Sequence, residues 1–231
     1  MKRLYKEAVA VAVAGGYGIA LDGKPLLTPA KRPLVLPALP LAEAIAAEWQ
    51  AQGDTVDPLA MPQMRLASIA IDLVMPRREE VLAELGKYAG TDLVCYRAEH
   101  PPELVARQHS VWQPLVDWAT LRFDAPLAVT AGIVPVAQPP ATLHAFAAAL
   151  AAYDPLRLTA LHAATAACGS LVIALALIEG RLDAEAAFAA AQLDESFQIE
   201  QWGEDAEQTA RRANLRKDIA AIAQLVDLLR H

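Results

Sequence analysis

Apolar and polar positions along the first part of the chain follow a period of two. Val9, Val11 and Val13 alternate with alanines, Gly15-Gly16 marks a turn, and Ile19 and Leu21 lead into Asp22-Gly23, a strong hairpin signal. The segment from Leu4 to Leu36 therefore reads as an antiparallel β unit. Pro25, Pro29, Pro33, Pro37 and Pro40 withdraw backbone donors, so its strands are expected to be short or to lie at an edge.

From Leu41 onward the period becomes helical. Leu41, Ile45 and Trp49 form a stripe that ends at Gly53. Met61 to Met75 is apolar on nearly all sides, which predicts a buried helix, and Pro76 is suited to opening the next one. Asp92 to Arg97 (DLVCYR) has the character of a short strand. A long helix is expected from Pro101 to about Phe123, kinked at Pro114. Asp183 can cap a helix carrying Ala186, Ala190, Leu193 and Phe197 on one side, and Leu215, Ile219, Ile222, Val226 and Leu229 form the stripe of a terminal helix. The expected class is α+β. A small N-terminal antiparallel β domain (1–40) is expected on or beside a larger helical domain (41–231) with a strand-like insert near 92–97.

Composition narrows the function classes. The 231 residues are 55% hydrophobic, enough to bury a sizeable core, and the net charge of −7 offers no basic surface for nucleic acid. Cys95 and Cys168 stand far apart in no CxxC pair, predicting buried thiols in a reducing compartment rather than a disulfide or zinc framework. The N-terminal residues Met1 to Lys6 lack an apolar h-region, so export is not expected. The most apolar run, Ala163 to Ile178, is shorter than the roughly 20 residues a bilayer requires, and it reads as a tightly packed core helix, without membrane insertion.

Catalytic and metal-binding motifs are weak. Gly15-Gly16-Tyr17-Gly18 lies between strands with no Gly-Lys-Ser/Thr, so a hairpin turn is the better reading. Cys168-Gly169-Ser170 falls within an apolar helical run, away from any nucleophile elbow. The histidines at 100, 109, 144, 162 and 231 make no ligand spacing, so no metal or cofactor is expected. His109 shares a helical face with Val105, Trp112 and Val116, which suggests a hydrogen-bonded core histidine, and Trp112 and Trp118 also read as core.

Charge is distributed unevenly. No Lys or Arg lies between Arg181 and Arg211, whereas Asp183, Glu185, Asp194, Glu195, Glu200, Glu204, Asp205 and Glu207 do. Within this interval, LDESFQIEQWGED (193–205) mixes acids with aromatics. At about 100° per residue, Leu193, Phe197 and Glu200 share one side of a helix, and Glu195, Ile199 and Trp202 share the other. An apolar and acidic face of this kind suits a protein surface bearing apolar and basic groups. An enzyme using Glu195 and Glu200 as an acid/base pair in a cleft between the domains is a second possibility, although the two project about 140° apart on an ideal helix. A ligand-binding regulatory module is a third.

RLYKEA (3–8), LDGKPLLTPAKRPLVLP (21–37), AIAAEWQAQG (44–53), DLVCYRAE (92–99) and LDESFQIEQWGED, in that order over nearly the whole chain, resemble the assembly chaperones of the F-type ATP synthase α subunit, the ATP-twelve family. The resemblance implies a non-enzymatic protein with a β-rich N-terminal and a helical C-terminal domain. Its expected partner is the unassembled α subunit, whose interface it shields until assembly. The family pattern L-x-E-x-[F/Y]-Q-x-x-x-W-G falls on Leu193, Glu195, Phe197, Gln198, Trp202 and Gly203, with the functional acid at Glu195. The Glu-Trp pair falls on Glu48 and Trp49. The client-binding residues implied are thus Glu195, Glu200, Trp202, Glu48 and Trp49, with Trp49 equally suited to the core because it continues the Leu41 and Ile45 stripe. The family motifs begin at Arg3, with no Arg- and Ser-rich leader before them, which implies a bacterial cytoplasmic protein.

Overall fold

Two short turns at the N-terminus set the first sheet. The computed structural model describes residues 2–132 and 134–230, and His231 lies outside them. Strands β1 (Ala8–Val13), β2 (Gly16–Leu21) and β3 (Lys24–Pro25) form an antiparallel sheet in the order β1-β2-β3. Ala14-Gly15 makes the first turn and Asp22-Gly23 the second, with φ of 46° and 79° at Asp22 and Gly23, as a hairpin turn with both central residues left-handed requires. Gly16 is obligatory as well, because a Cβ there would lie 2.2 Å from the Leu36 carbonyl oxygen. The glycine cluster is a hairpin turn, as its spacing suggests.

Helices follow: α1 (Leu39–Gln50), α2 (Pro62–Ile69), α3 (Arg78–Gly90), α4 (Pro102–Phe123), α5 (Pro140–Ala151), α6 (Pro155–Cys168), α7 (Leu171–Ile178), α8 (Ala184–Ala191), α9 (Leu193–Trp202) and α10 (Ala206–Leu228). A two-stranded parallel ladder joins β4 (Tyr96–Arg97) to β5 (Thr130–Ala131). The architecture is α+β, a small antiparallel sheet followed by a mainly helical region. Among the described residues no helix is long and apolar enough to cross a membrane.

The chain folds as two compact units. The first comprises residues up to Arg78, Pro155–Ala160 and the residues from Gln224 onward. Its sheet packs against α1, burying Ile19, Leu36, Leu41, Ile45 and Trp49. The N-terminal motif fastens this packing: the Arg3 guanidinium donates to the carbonyls of Gln50 (3.2 Å) and Gln52 where α1 ends, and it stacks on Tyr5 at 4.7 Å. The loop of the second motif is held at Asp72, whose carboxylate accepts from Thr28 Oγ1 (2.7 Å) and the Ala30 amide (3.0 Å). Asp72 lies in a π turn, Ala70–Val74, that continues α2. The buried helix expected over Met61 to Met75 is therefore two pieces, with Leu73 and Met75 exposed at its end, and the following helix opens at Arg78 rather than Pro76.

The second unit contains Glu79–Asp154 and Leu161–Ala223. Its centre is α4, which keeps helical geometry through Pro114, and α7, whose residues are all buried. Trp112 is fully buried and donates from Nε1 to the Ala190 carbonyl at 2.8 Å. His109 is exposed, contrary to the expected face: α4 buries Gln108, Trp112, Leu115, Val116 and Ala119, and this stripe leaves position 109 about a quarter-turn away.

The run from Ala163 to Ile178 is likewise not one helix. Gly169, at φ 65°, ends α6, and Ser170 caps α7 by accepting from the Ile173 amide. The break is secured by Asp92. Its fully buried carboxylate accepts from Ser170 Oγ (2.6 Å), the Val172 amide (3.0 Å) and the Val94 amide (3.2 Å). Burial raises the Asp92 pKa. Burial, aided by the Asp92 charge, pushes the Cys95 and Cys168 thiols up to about 12, so both stay protonated and inert.

Candidate functional site

Six of the eight carboxylates in the acidic interval from Asp183 to Glu207 are engaged within the second unit, three of them by arginines. Asp183 and Asp205 accept from the Ala186 and Gln208 amides as helix caps, and Asp194 accepts from Gln108 Nε2 at 2.7 Å. Glu185 meets Arg216 at 3.1 Å, Glu204 meets Arg212 at 3.3 Å, and Glu200 takes both terminal nitrogens of Arg107 at 2.6 and 2.8 Å. The paired guanidinium holds the exposed Glu200 carboxyl below its usual pKa. Glu195 and Glu207 make no hydrogen bond or ion pair among the described residues. Of the α9 carboxylates Asp194, Glu195 and Glu200, only Glu195 is without a partner among the described residues.

The helix α9 is oriented by one side. Leu193 is buried, and Phe197 lies under the Arg107 guanidinium at 5.3 Å, so the face carrying Leu193, Phe197 and Glu200 turns toward α4. Arg212 reinforces this from α10: it bonds Gln192 Oε1 (3.1 Å) and Ser196 Oγ (3.0 Å) and stacks on Phe188 at 5.3 Å. The opposite side presents half-buried Glu195 and Ile199 and, at the last turn, Trp202 with 88% of its surface exposed. Gly203, at φ 83°, ends the helix just beyond it. An indole so exposed on a helix fixed from behind is available area for a partner. A cleft of about 420 Å³ lies beside this arrangement, lined by Arg107, Val111, Leu182, Ala186, Leu193 and Ser196.

Glu48 and Trp49 sit in the first unit with other tasks. The Glu48 carboxylate accepts from the Gln63 and Met64 amides at 2.7 and 2.9 Å, capping the first turn of α2, and partial burial raises its pKa. Trp49 is 7% exposed and edge-on to Tyr5 at 5.6 Å, and its Nε1 has no hydrogen-bond partner among the described residues. It forms one wall of an apolar groove of about 600 Å³ with Leu26, Leu27, Met61, Met64 and Ile69. The structure thus brings Glu195, Glu200 and Trp202 together on one helix, and it places the other pair in a separate unit.

Sequence reasoning missed Arg107, Arg212 and Gln108. For the two arginines the signal was the missing counter-charge of the acidic interval; for Gln108 there was none, because separations of up to 93 residues carry no local pattern. Neither Glu195 nor Glu200 lines the two clefts described, and Glu200 is committed to Arg107. Among the described residues no group of three or more His, Cys, Asp or Glu side chains is placed to hold a metal ion.

Comparison with known proteins adds a family. Residues 2–120 match the family described as "ATP12 chaperone protein". The chain is 26% identical to the mitochondrial protein atp12 of Schizosaccharomyces pombe over 238 aligned residues, covering 97% of this chain and 81% of that protein. The crystal structure of Atp12 from Paracoccus denitrificans superposes with a TM-score of 0.94 at 44% identity, covering 98% of this chain and 97% of that one. The Atu1473 protein of Agrobacterium tumefaciens superposes with a TM-score of 0.93 at 43% identity, covering 99% and 86%.

Proposed function

We propose, from the premise that this chain belongs to the ATP12 chaperone family, that its client is the unassembled α subunit of the F-type ATP synthase catalytic head. The family membership carries the reading. A subunit awaiting an obligate partner exposes an apolar interface prone to aggregate, and a chaperone covers it until the partner arrives. The polar, incompletely apolar character of α9 supports transient binding of this kind, since displaceable interfaces are less apolar than permanent ones. We assign the contact to the outward side of α9. Trp202 supplies area, and Glu195, which has no partner among the described residues, orients a basic group of the client. Glu200 supports this surface by fixing α9 through Arg107, whereas Glu48 and Trp49 fix α1 and α2 within the first unit. A bacterial cytoplasmic setting agrees with the two buried free thiols.

Co-expression with the cognate α subunit should yield a soluble complex and lower the fraction of α that aggregates. Absence of both effects, with a correctly folded chaperone, would overturn the reading. A narrower expectation concerns Glu195→Lys. It should weaken client binding about tenfold or more, as loss of an orienting charge and its replacement by a repulsive one does, while shifting the melting temperature by no more than about 2 °C. Titration of α with both proteins, beside a thermal melt, checks this; a large fall in melting temperature would make Glu195 structural.

A further inference from the structure

The first sheet ends on one side at β1. Tyr17 exchanges both backbone hydrogen bonds with Leu36 (2.9 and 2.8 Å), and the Ile19 carbonyl accepts from the Leu26 amide at 2.8 Å, so the outer edge of β2 is occupied. Ala12 and Ala10 face Tyr17 and Ile19 across the β1–β2 ladder. In an antiparallel pair, residues opposite one another alternate between exchanging bonds with each other and turning them outward. Ala10 and Ala12 therefore turn their N–H and C=O groups away from β2, and among the described residues these groups find no partner.

One neighbour on the same edge shows what it accepts. The Gln50 carboxamide donates from Nε2 to the Lys6 carbonyl (3.2 Å) and accepts at Oε1 from the Ala8 amide (2.9 Å), pairing there as a peptide group of an added strand would. Beyond Ala8 this pairing stops. The strand Ala8–Val13 carries no charged residue and no proline, the devices by which natural edges are usually blunted, and Ala12 and Val13 are exposed.

We infer that β1 is a strand-addition site, which takes an extended, uncharged segment of the client polypeptide as a fourth strand alongside Ala10–Val13. The inference rests on the chaperone reading above. Donors and acceptors repeating every second residue are met by an extended backbone, not by a helix. Val9 and Val13, both partly exposed on one face of the sheet, add a preference for apolar β-branched side chains on that face of the incoming strand. A second copy of this chain is the weaker occupant: a six-residue edge spans only about 20 Å, and two such edges bury far less than the roughly 1,200 Å² at which stable interfaces begin. A client held elsewhere on the chaperone adds the same bonds at high effective concentration.

Amide exchange resolved to single residues tests this on the free protein and on the co-expressed complex with the α subunit. Ala10 and Ala12 should exchange freely in the chaperone alone and about 100-fold more slowly in the complex. A complex in which both amides exchange as before overturns the inference and leaves the client reading intact; absence of any complex removes both. Protection in the chaperone alone that grows with its concentration also overturns it, by giving the edge to a second copy. Ala12→Pro deletes an outward donor while sparing the bonds to β2, and it should weaken the complex about tenfold; unchanged affinity of the folded variant counts against the inference.

Discussion

Asp92→Ala is expected to lower the stability of this protein by about 3 to 5 kcal/mol, more than any exposed substitution. The change strands three donors at once, the Ser170 hydroxyl and the Val172 and Val94 amides, in an interior that water does not reach. It also removes the group that holds the junction of α6 and α7, where Gly169 has already broken the helix. Asp92→Asn should cost less, about 1 to 3 kcal/mol, because the amide oxygen still accepts from Ser170 and Val94 while its NH2 group faces the Val172 amide and leaves that donor unmet. The pair of variants also separates packing from charge. Burial raises the Asp92 pKa in the folded state, so the folded chain holds this proton more tightly than the unfolded one. Stability from this group is accordingly complete below the ordinary aspartate range and declines as pH rises through the raised value. Asp92→Asn should flatten that decline. Denaturant melts from about pH 4 to pH 8 check the expectation, and an unchanged slope in the Asn variant would assign the pH dependence to another group.

This carboxylate also illustrates what the chain discloses locally and what it does not. The hairpins were legible because turn chemistry is contained in two residues: Asp22-Gly23 and Gly15-Gly16 both lie where their backbone freedom is needed. The Asp183 cap and the terminal stripe through Ile219, Ile222 and Val226 were legible for the same reason, since one helix supplies both the signal and the response. The interruption at Gly169 was hidden because its support comes from Asp92, which reaches Ser170 across 78 positions. His109 was misjudged by one position, because the buried polar group on that face is Gln108, bonded to the Ala98 amide and to Asp194. In α9 the two sides could be read from the periodicity, yet the sequence alone left every acid in play. Only tertiary placement of Arg107, Arg212 and Arg216 separates the neutralised carboxylates from Glu195.

Trp49→Ala should destabilise the first unit by about 3 to 5 kcal/mol, the usual cost of emptying a buried indole site. The ring is 7% exposed, meets Tyr5 edge-on, and belongs to the stripe with Leu41 and Ile45. Its removal also loosens the N-terminal strap, because the Tyr5 hydroxyl donates to the Trp49 carbonyl at 2.7 Å and packs over the lost ring. Trp49→Phe is the informative companion. Phenylalanine keeps most of the apolar contact and deletes a buried N–H that has no partner among the described residues, so relief of an unmet donor offsets part of the smaller ring's cavity. A loss of about 1 to 2 kcal/mol is expected, with client binding retained. Chemical denaturation of both variants, followed by α-subunit binding for whichever remains folded, distinguishes core from contact. Binding that falls tenfold in a stable Trp49→Phe protein would move this residue from the support of α1 to the client surface, through the groove it shares with Met61 and Met64. Binding that tracks stability keeps the contact where the free acid and the exposed indole of α9 stand together.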